Sequence, residues 1–326
     1  MRDNSIKNNP FDESDADAAE DIFGPDIQCL KGKKTRTRSS HVHLPKINVH
    51  TMILSRYKIV TVAGDVMFIN GLRFFVSKSR NIKFTTGEYI KNAKEDTLFN
   101  SIMQLKSMYK SRGFYLKHLL LDGKFLFLEQ RLLGEGIHLN VCSNDEHFGV
   151  VERVIRTIKE RVRGIYVTLP SNKLPGRMIV ELVYFFIFWL NAIHPSATIF
   201  PNMSPRTIMT GKTINYNVHC KHEFGEYVQT HEEHDNTMQT RTVGAIALCP
   251  TGNVQGGHFY LSLATGRRLN RLNATPLLMS QEVIKRVHNL EKTNPKGLEF
   301  CNQCNEIINN EDIHPKTNIQ SNLDKN

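Results

Sequence analysis

The sequence predicts an α/β layer fold with a mixed sheet, followed by a small all-β barrel. Between residues 48 and 215, strand-like and helix-like segments run in the order hairpin, helix, strand, strand, helix, helix. That order needs one sheet with helices packed on it. Beyond residue 215 the helical periodicity stops, and short strand patterns follow one another between turns such as "TGNVQGG" and "ATG", as in a small barrel. Hydrophobic residues make up 40% of the 326 positions, enough for a real core with a small module and tails.

Taken in order, residues 1–47 form an acidic then basic segment expected to stay flexible. The first 28 residues hold many acids and few cations ("DESDADAAEDIFGPD") and are expected to be extended or disordered. "KGKKTRTR" (31–38) then places five cations in eight residues, which suits a solvated linker, a nucleic-acid contact or a nuclear-import patch. Order begins near residue 48. "YKIVTVAGDVMFI" (57–69) and "LRFFVSKS" (72–79) are β-branched and aromatic, and Asn70-Gly71 between them marks a hairpin. "KEDTLFNSIMQLKSMYKSRGF" (94–114) has helical spacing and a terminating Gly113. "YLKHLLLDG" (115–123) and "IHLNVCS" (137–143) read as strands.

A helix then runs from His147 to Gly164, and a second from Pro175 to about Asn191, with Pro195 beyond it. The apolar run "MIVELVYFFIFWLNAI" (178–193) is shorter than a membrane span and carries Glu181 and Asn191. It reads as a buried core helix, and "FFIFW" (185–189) as core rather than a stacking platform. Residues 216–275 are expected to form the small barrel, and 276–326 a C-terminal helix ("SQEVIKRVHNLEK", 280–292) with a disordered tail.

A net charge of +10 points to a polyanionic partner, either nucleic acid or an acidic surface. The six cysteines are too scattered for a disulfide framework, and no secretory signal is present, so a reducing compartment is expected. Cys301 and Cys304 form a lone C-x-x-C with His314 further on, short of the four ligands a structural zinc needs. "TGNVQGG" is followed by neither Lys-Ser/Thr nor a helix, so it is not a phosphate loop. His118 and His147 lie near the acidic positions described next and are expected to be neutral, hydrogen-bonded side chains.

Three acids stand out. Asp65 interrupts an otherwise apolar strand, where a charge is costly unless something compensates it. Asp122 ends "HLLLDG" at the carboxyl edge of the next strand, where open α/β sheets bind ligands. Glu152 opens the helix in "HFGVVERVIRTIKERVRG". There Val151, Val154, Ile155, Ile158 and Val162 mark an apolar face, while Glu152, Arg156, Lys159 and Arg163 share another, at i, i+4, i+7 and i+11. The helix alone allows two readings: an i,i+4 ion pair on a solvated surface, or a metal-binding carboxylate followed by cations that hold a phosphate backbone. Three carboxylates from two strands and a helix can hold two divalent cations, for which Mg²⁺ prefers hard oxygen ligands.

"DGKF…GVVERVIRTIKER" resembles the second and third acidic blocks of retroelement integrases, the DDE polynucleotidyl transferases with an RNase H-like core, and is most similar to those of copia-type retrotransposons. "AEDIFGPDIQCLKGKKTR", "GDVMFINGLRFFVSKSRNIKF", the post-core "MSPRTIMTG" and the barrel "FGEYVQ…RTVGAIALCPTGNVQGGHFYLSLATGRR" resemble successive parts of the same family over residues 8–291. The resemblance implies an RNase H-like core with an SH3-like module after it. It implies Asp65, Asp122 and Glu152 as catalytic and metal-binding triad, and Mg²⁺ or Mn²⁺ as cofactor. Arg156, Lys159 and Arg163 would contact DNA. It further implies element ends and target DNA as partners, self-association, no membrane and no small-molecule substrate, and residence in nucleus and cytoplasmic virus-like particle. There are departures from the family pattern. Only 29 residues separate Asp122 from Glu152, fewer than usual, and "SNDEHFG" lacks the usual proline- and glutamine-rich stretch. The upstream His/Cys zinc module is absent, since residues 1–45 contain only Cys29, His41 and His43. The chain is therefore expected to be a polyprotein fragment or an element's remnant, either an active integrase or a nucleic-acid-binding module derived from one.

Overall fold

The computed structural model describes residues 13–32, 46–142, 149–171, 173–193, 199–200, 202–232, 237–293, 300–301 and 307–308. Most of the basic run 31–38, the loop 143–148 with His147, and Cys304 and His314 lie outside them. The acidic N-terminal stretch corrects the expectation of an extended chain. It forms helix α1 (Glu13–Phe23) and a short α2 (Ile27–Gly32). The described side chains of α1 are all exposed, so local terms hold it: alanines favour the helix, and Asp15 and Asp17 lie toward its positive end. Asp26 caps α2 by accepting hydrogen bonds from the N–H groups of Gln28 (3.3 Å) and Cys29 (2.9 Å).

After α3 (Thr51–Tyr57) comes the first sheet. β1 (Ile59–Ile69) and β2 (Leu72–Ser79) form the expected hairpin. Asn70 and Gly71 take φ of 49° and 80°, as a two-residue primed turn requires. β3 (Thr85–Ile90), which the sequence pattern does not predict, continues the antiparallel meander. α4 (Glu95–Lys110) leads to β4 (Tyr115–Asp122), which pairs parallel with β1. A 3-10 turn (Gly123–Leu128) and α5 (Glu129–Gly134), also unread in the sequence, lead to β5 (His138–Cys142), parallel to β4. The sheet order β3-β2-β1-β4-β5 puts β1 at the centre. This is the mixed α/β core that the sequence predicts, with β3 as one strand more than expected.

Each face of that sheet has its own core. Val60, Val62, Val66 and Phe75 pack with Leu98, Ile102 and Leu105 of α4. Met67, Phe74 and Val76 pack with α6 (Gly149–Thr168) and α7 (Gly176–Ala192). Val151, Val154, Ile158 and Val162 of α6 are buried as their spacing predicts, whereas Ile155, expected with them, is only partly buried at the edge of the stripe. α7 is apolar around most of its circumference and lies between the first sheet and the second, against Ile246 and Leu261 of that sheet and Phe224 just before it. It also satisfies the outer edge of the first sheet. Asn191 Nδ2 donates to Thr85 O (2.7 Å), and its Oδ1 accepts from Thr85 N (2.8 Å). A β-carbon on Gly87 would meet the terminal methyl of Ile187, so a larger residue there would make that side chain of α7 shift. Among the described residues, no helix is long and apolar enough to cross a membrane.

The post-core motif is a short capped helix, α8 (Pro205–Thr210). Ser204 accepts from Thr207 N (3.1 Å), proline stands in the first turn, and Gly211 closes it at φ 71°. Buried Arg112, just after α4, donates to Ile208 O and Ile47 O (2.8 Å each), so α8 is tied back to the core. α9 (Tyr216–His219) precedes the second sheet: β6 (Tyr227–His231), β7 (Thr242–Pro250), β8 (His258–Ser262), β9 (Arg268–Arg271) and β10 (Ala274–Pro276). All are antiparallel, in the order β10-β6-β7-β8-β9. β9 and β10 are separated by two residues yet lie at opposite edges. Laid flat, five strands would hold those edges about 19 Å apart, whereas the link spans at most about 10 Å. The sheet must therefore roll up. α10 (Gln281–Thr293) closes the module with buried Val283 and Val287, and Arg286 donates to Leu263 O and Ala264 O.

Two features of this region generate measurable consequences. Glu181 of α7 is 2% exposed, accepts from Arg268 Nη1 (3.1 Å) and lies 3.7 Å from Arg177 Nε. Glu181→Ala leaves those guanidinium groups without their buried counter-charge and should cost about 3–5 kcal/mol in urea unfolding. His258 is buried against His222 and Tyr260. Burial, with His222 and His219 nearby, pushes its pKa down to about 3. Protonation therefore favours the unfolded chain, whose histidine titrates near 6.5. Stability is complete above that pH and is lost as pH falls from about 6.5 toward 3, at up to about 1.4 kcal/mol per unit. Comparing denaturation midpoints of wild type and His258→Gln across this range isolates the contribution; parallel pH profiles would refute it.

Candidate functional site

Asp65 lies in the central strand. Its neighbours at i−2 and i+2, Ala63 and Met67, point to the α6–α7 face, and so does its antiparallel partner Val76. In the parallel ladder Ala63 is level with Leu120. Continuing that register brings Asp65 level with Asp122 on the same face. Leu119 and Leu121 of β4 point into the opposite core with α4, which turns Leu120 and Asp122 toward α6. Gly64 before Asp65 is enclosed: a β-carbon there would sit 3.0 Å from Phe75 and 3.1 Å from Leu121.

The chain turns immediately after Asp122. Its side chain accepts from Gly123 N (2.7 Å) and caps the 3-10 turn. That turn carries Lys124 back over the strand ends. Lys124 Nζ lies 2.8 Å from Asp65 Oδ1 and 3.2 Å from Asp122 Oδ2, so one ammonium bridges the two aspartates. It also stands 5.0 Å from the Phe125 ring centroid. Burial works against its charge, but the two carboxylates outweigh that and raise its pKa above the ordinary lysine value. Asp65 Oδ1 also accepts from Val66 N (2.7 Å).

Glu152 stands in the first turn of α6, on the side facing Asp65. The two line one open groove of about 330 Å³ with Ile155, Arg156, Lys159, Glu160 and Arg163. The row Glu152, Arg156, Lys159, Arg163 is thus one continuous wall, as its spacing predicts. The apolar stripe at Val151, Val154, Ile158 and Val162 anchors the opposite side of the helix and aims that wall. A second set of cations lies beyond it. Lys78, level with Ala63 on β2, has its pKa lowered by burial and by the nearby charges of Lys83 and Arg153.

Asp65 is the shared member: it meets Asp122 across Lys124 and Glu152 across the groove. Among the described residues, no group of three or more His, Cys, Asp or Glu is arranged to hold a metal ion. The donors nevertheless suit a hard cation, because carboxylate oxygens from two strands already converge on one positively charged atom. His118, expected beside the acids, stands four residues before Asp122 and stacks on His138 at 5.8 Å instead. Sequence reasoning missed Lys124 and Glu160. Lys124 could have been suspected from its place in Asp-Gly-Lys, where a tight turn folds it back over the carboxylate before it.

No protein-family model matches the chain, and no curated protein matches it. Among solved structures, the chain is similar to the catalytic core domain of BIV integrase, with 18% identity, a TM-score of 0.35, and coverage of 46% of this chain and 92% of that one. It is also similar to the HTLV-2 integrase catalytic core domain, solved in complex with magnesium in a trimeric form, with 16% identity, a TM-score of 0.35, and coverage of 46% and 95%.

Proposed function

We propose that the protein is a retroelement integrase of the copia type, a polynucleotidyl transferase acting on DNA through Asp65, Asp122 and Glu152. The single observation that carries this reading is the placement of two aspartates level on adjacent central strands, on the face covered by the helix that bears Glu152 and its row of cations. Divalent metal bound by these carboxylates would supply charge stabilisation for in-line displacement at phosphorus. The chain's own part is positional. Asp65 is held on a strand with neighbours on both sides, and Asp122 is fixed by its turn. Arg156, Lys159 and Arg163 would hold the phosphodiester backbone without reading bases. Water, and then a DNA 3′-hydroxyl, would be the attacking groups in end processing and strand transfer.

A second reading is favoured by Lys124. Its ammonium already bridges Asp65 and Asp122 and offsets part of their charge, as suits a repurposed module that binds DNA without cutting it. A strand-transfer assay with Mg²⁺ or Mn²⁺ and a range of element-end sequences separates the two. The integrase reading expects activity in wild type and none in Asp122→Asn; no activity with any end sequence supports the binding module.

The groove predicts opposite behaviour for two variants. Glu152→Gln should weaken Mn²⁺ binding in calorimetry and abolish strand transfer while nonspecific DNA affinity survives. Lys159→Ala should keep metal binding but lower the slope of log affinity against log salt by about 0.9, for one lost duplex phosphate contact. Equal Mn²⁺ affinity in wild type and Glu152→Gln would return Glu152 to an ordinary helix-surface glutamate, worth a few tenths of a kcal/mol.

A further inference from the structure

We infer that Lys124 is a built-in cation that holds the two-aspartate position and must swing out before a divalent metal can enter. The inference rests on reading Asp65 and Asp122 as metal ligands. The ammonium is within hydrogen-bonding distance of one oxygen from each aspartate, so ammonium and metal would compete for the same two carboxylates. A cation at bonding distance from both would lie within a few ångströms of Nζ, too close for two positive charges to share the site.

Several features make Lys124 displaceable rather than structural. Its side chain is 52% exposed and the Asp122 side chain 50%. The pair with Asp122 is open enough to contribute little to stability; Asp65, 26% exposed, is the more enclosed partner, and the lysine has a long stem free to turn toward water. It projects from a 3-10 turn rather than from a strand. The turn itself is held by other groups: Asp122 caps its start, and buried Phe125 and Leu128 anchor it. Moving the ammonium therefore leaves the backbone in place. A divalent ion carries twice the charge and approaches carboxylate oxygens to about 2.0–2.1 Å, so it can win the competition at sufficient concentration. With Lys124 in place, one of the two carboxylate charges is balanced without metal, and the mutual repulsion of the two aspartates is reduced.

The test is Mn²⁺ titration calorimetry on the full chain, stripped of metal, comparing wild type with Lys124→Met and Lys124→Arg. The methionine variant should bind Mn²⁺ about tenfold more tightly, while the arginine variant, which keeps the charge, should stay near or below wild type. Lys124→Gln gives the same readout should the methionine variant fold poorly by circular dichroism. Unchanged or weaker binding in Lys124→Met and Lys124→Gln, with wild type binding normally, overturns the inference and leaves the proposed function standing. Absence of binding in every protein overturns both. Binding in the methionine variant and none in wild type supports the inference and favours the DNA-binding reading over the enzyme.

Discussion

Burial of α7 is the constraint on which the rest of the structure depends. A helix this apolar cannot face water on any long side. Here the first sheet takes one side through Met67, Phe74 and Val76, and the second sheet takes another through Ile246 and Leu261, with Phe224 just ahead of it. Its few polar atoms are used where the apolar surface meets backbone or charge. Asn191 completes the hydrogen bonds of Thr85 on edge strand β3, and Tyr184 Oη accepts from Tyr89 N at 3.0 Å. Glu181 meets Arg268 from the second sheet. An edge strand satisfied in this way offers fewer free backbone groups to another chain.

The candidate site inherits its geometry from that packing. α6 lies against α7 and the sheet through its apolar stripe, so its charged row has only one direction left to face. β1 gains neighbours on both sides, which leaves Asp65 little freedom beyond its side-chain torsions. A carboxylate in that setting needs a positive partner, and the turn after Asp122 provides one in Lys124. The groove then carries Asp65 and Glu152 at one end, with Arg156, Lys159, Glu160 and Arg163 along its wall.

The small second sheet is held to the core by directional contacts as well as apolar ones. Arg206 of α8 stacks on Phe188 of α7 at 4.2 Å and donates to Gly252 O at 3.3 Å. A β-carbon on Gly252 would collide with that guanidinium, so glycine is required there as well as at the φ of 67°. The N-terminal segment also reaches this region, where Arg241 N donates to Lys31 O at 3.0 Å just before β7. The post-core motif thus works as a clasp. Ser204, Pro205 and Gly211 make the short helix locally, and Arg112 and Arg206 fasten it to the core and to the second sheet.

The sequence by itself determined whatever depends on residues close along the chain. Asn70-Gly71 dictates a tight hairpin because only such residues take two successive positive φ values easily. The spacing of Val151, Val154, Ile158 and Val162 dictates a half-buried helix and therefore the common face of Glu152, Arg156, Lys159 and Arg163. The alternation of short strands after residue 215 dictates an all-β module. β3 was not legible, because Gly87 and Glu88 break its pattern and its edge is completed by Asn191, about a hundred residues away in the chain. The helix of the acidic N-terminal stretch was obscured by a composition that buries nothing. Only the tertiary structure decided how the acids relate. Parallel pairing of β1 with β4 sets Asp65 level with Asp122, and the turn after Asp122 drops Lys124 between them. Such distances follow from strand register and chain reversal, which depend on contacts between segments far apart in sequence.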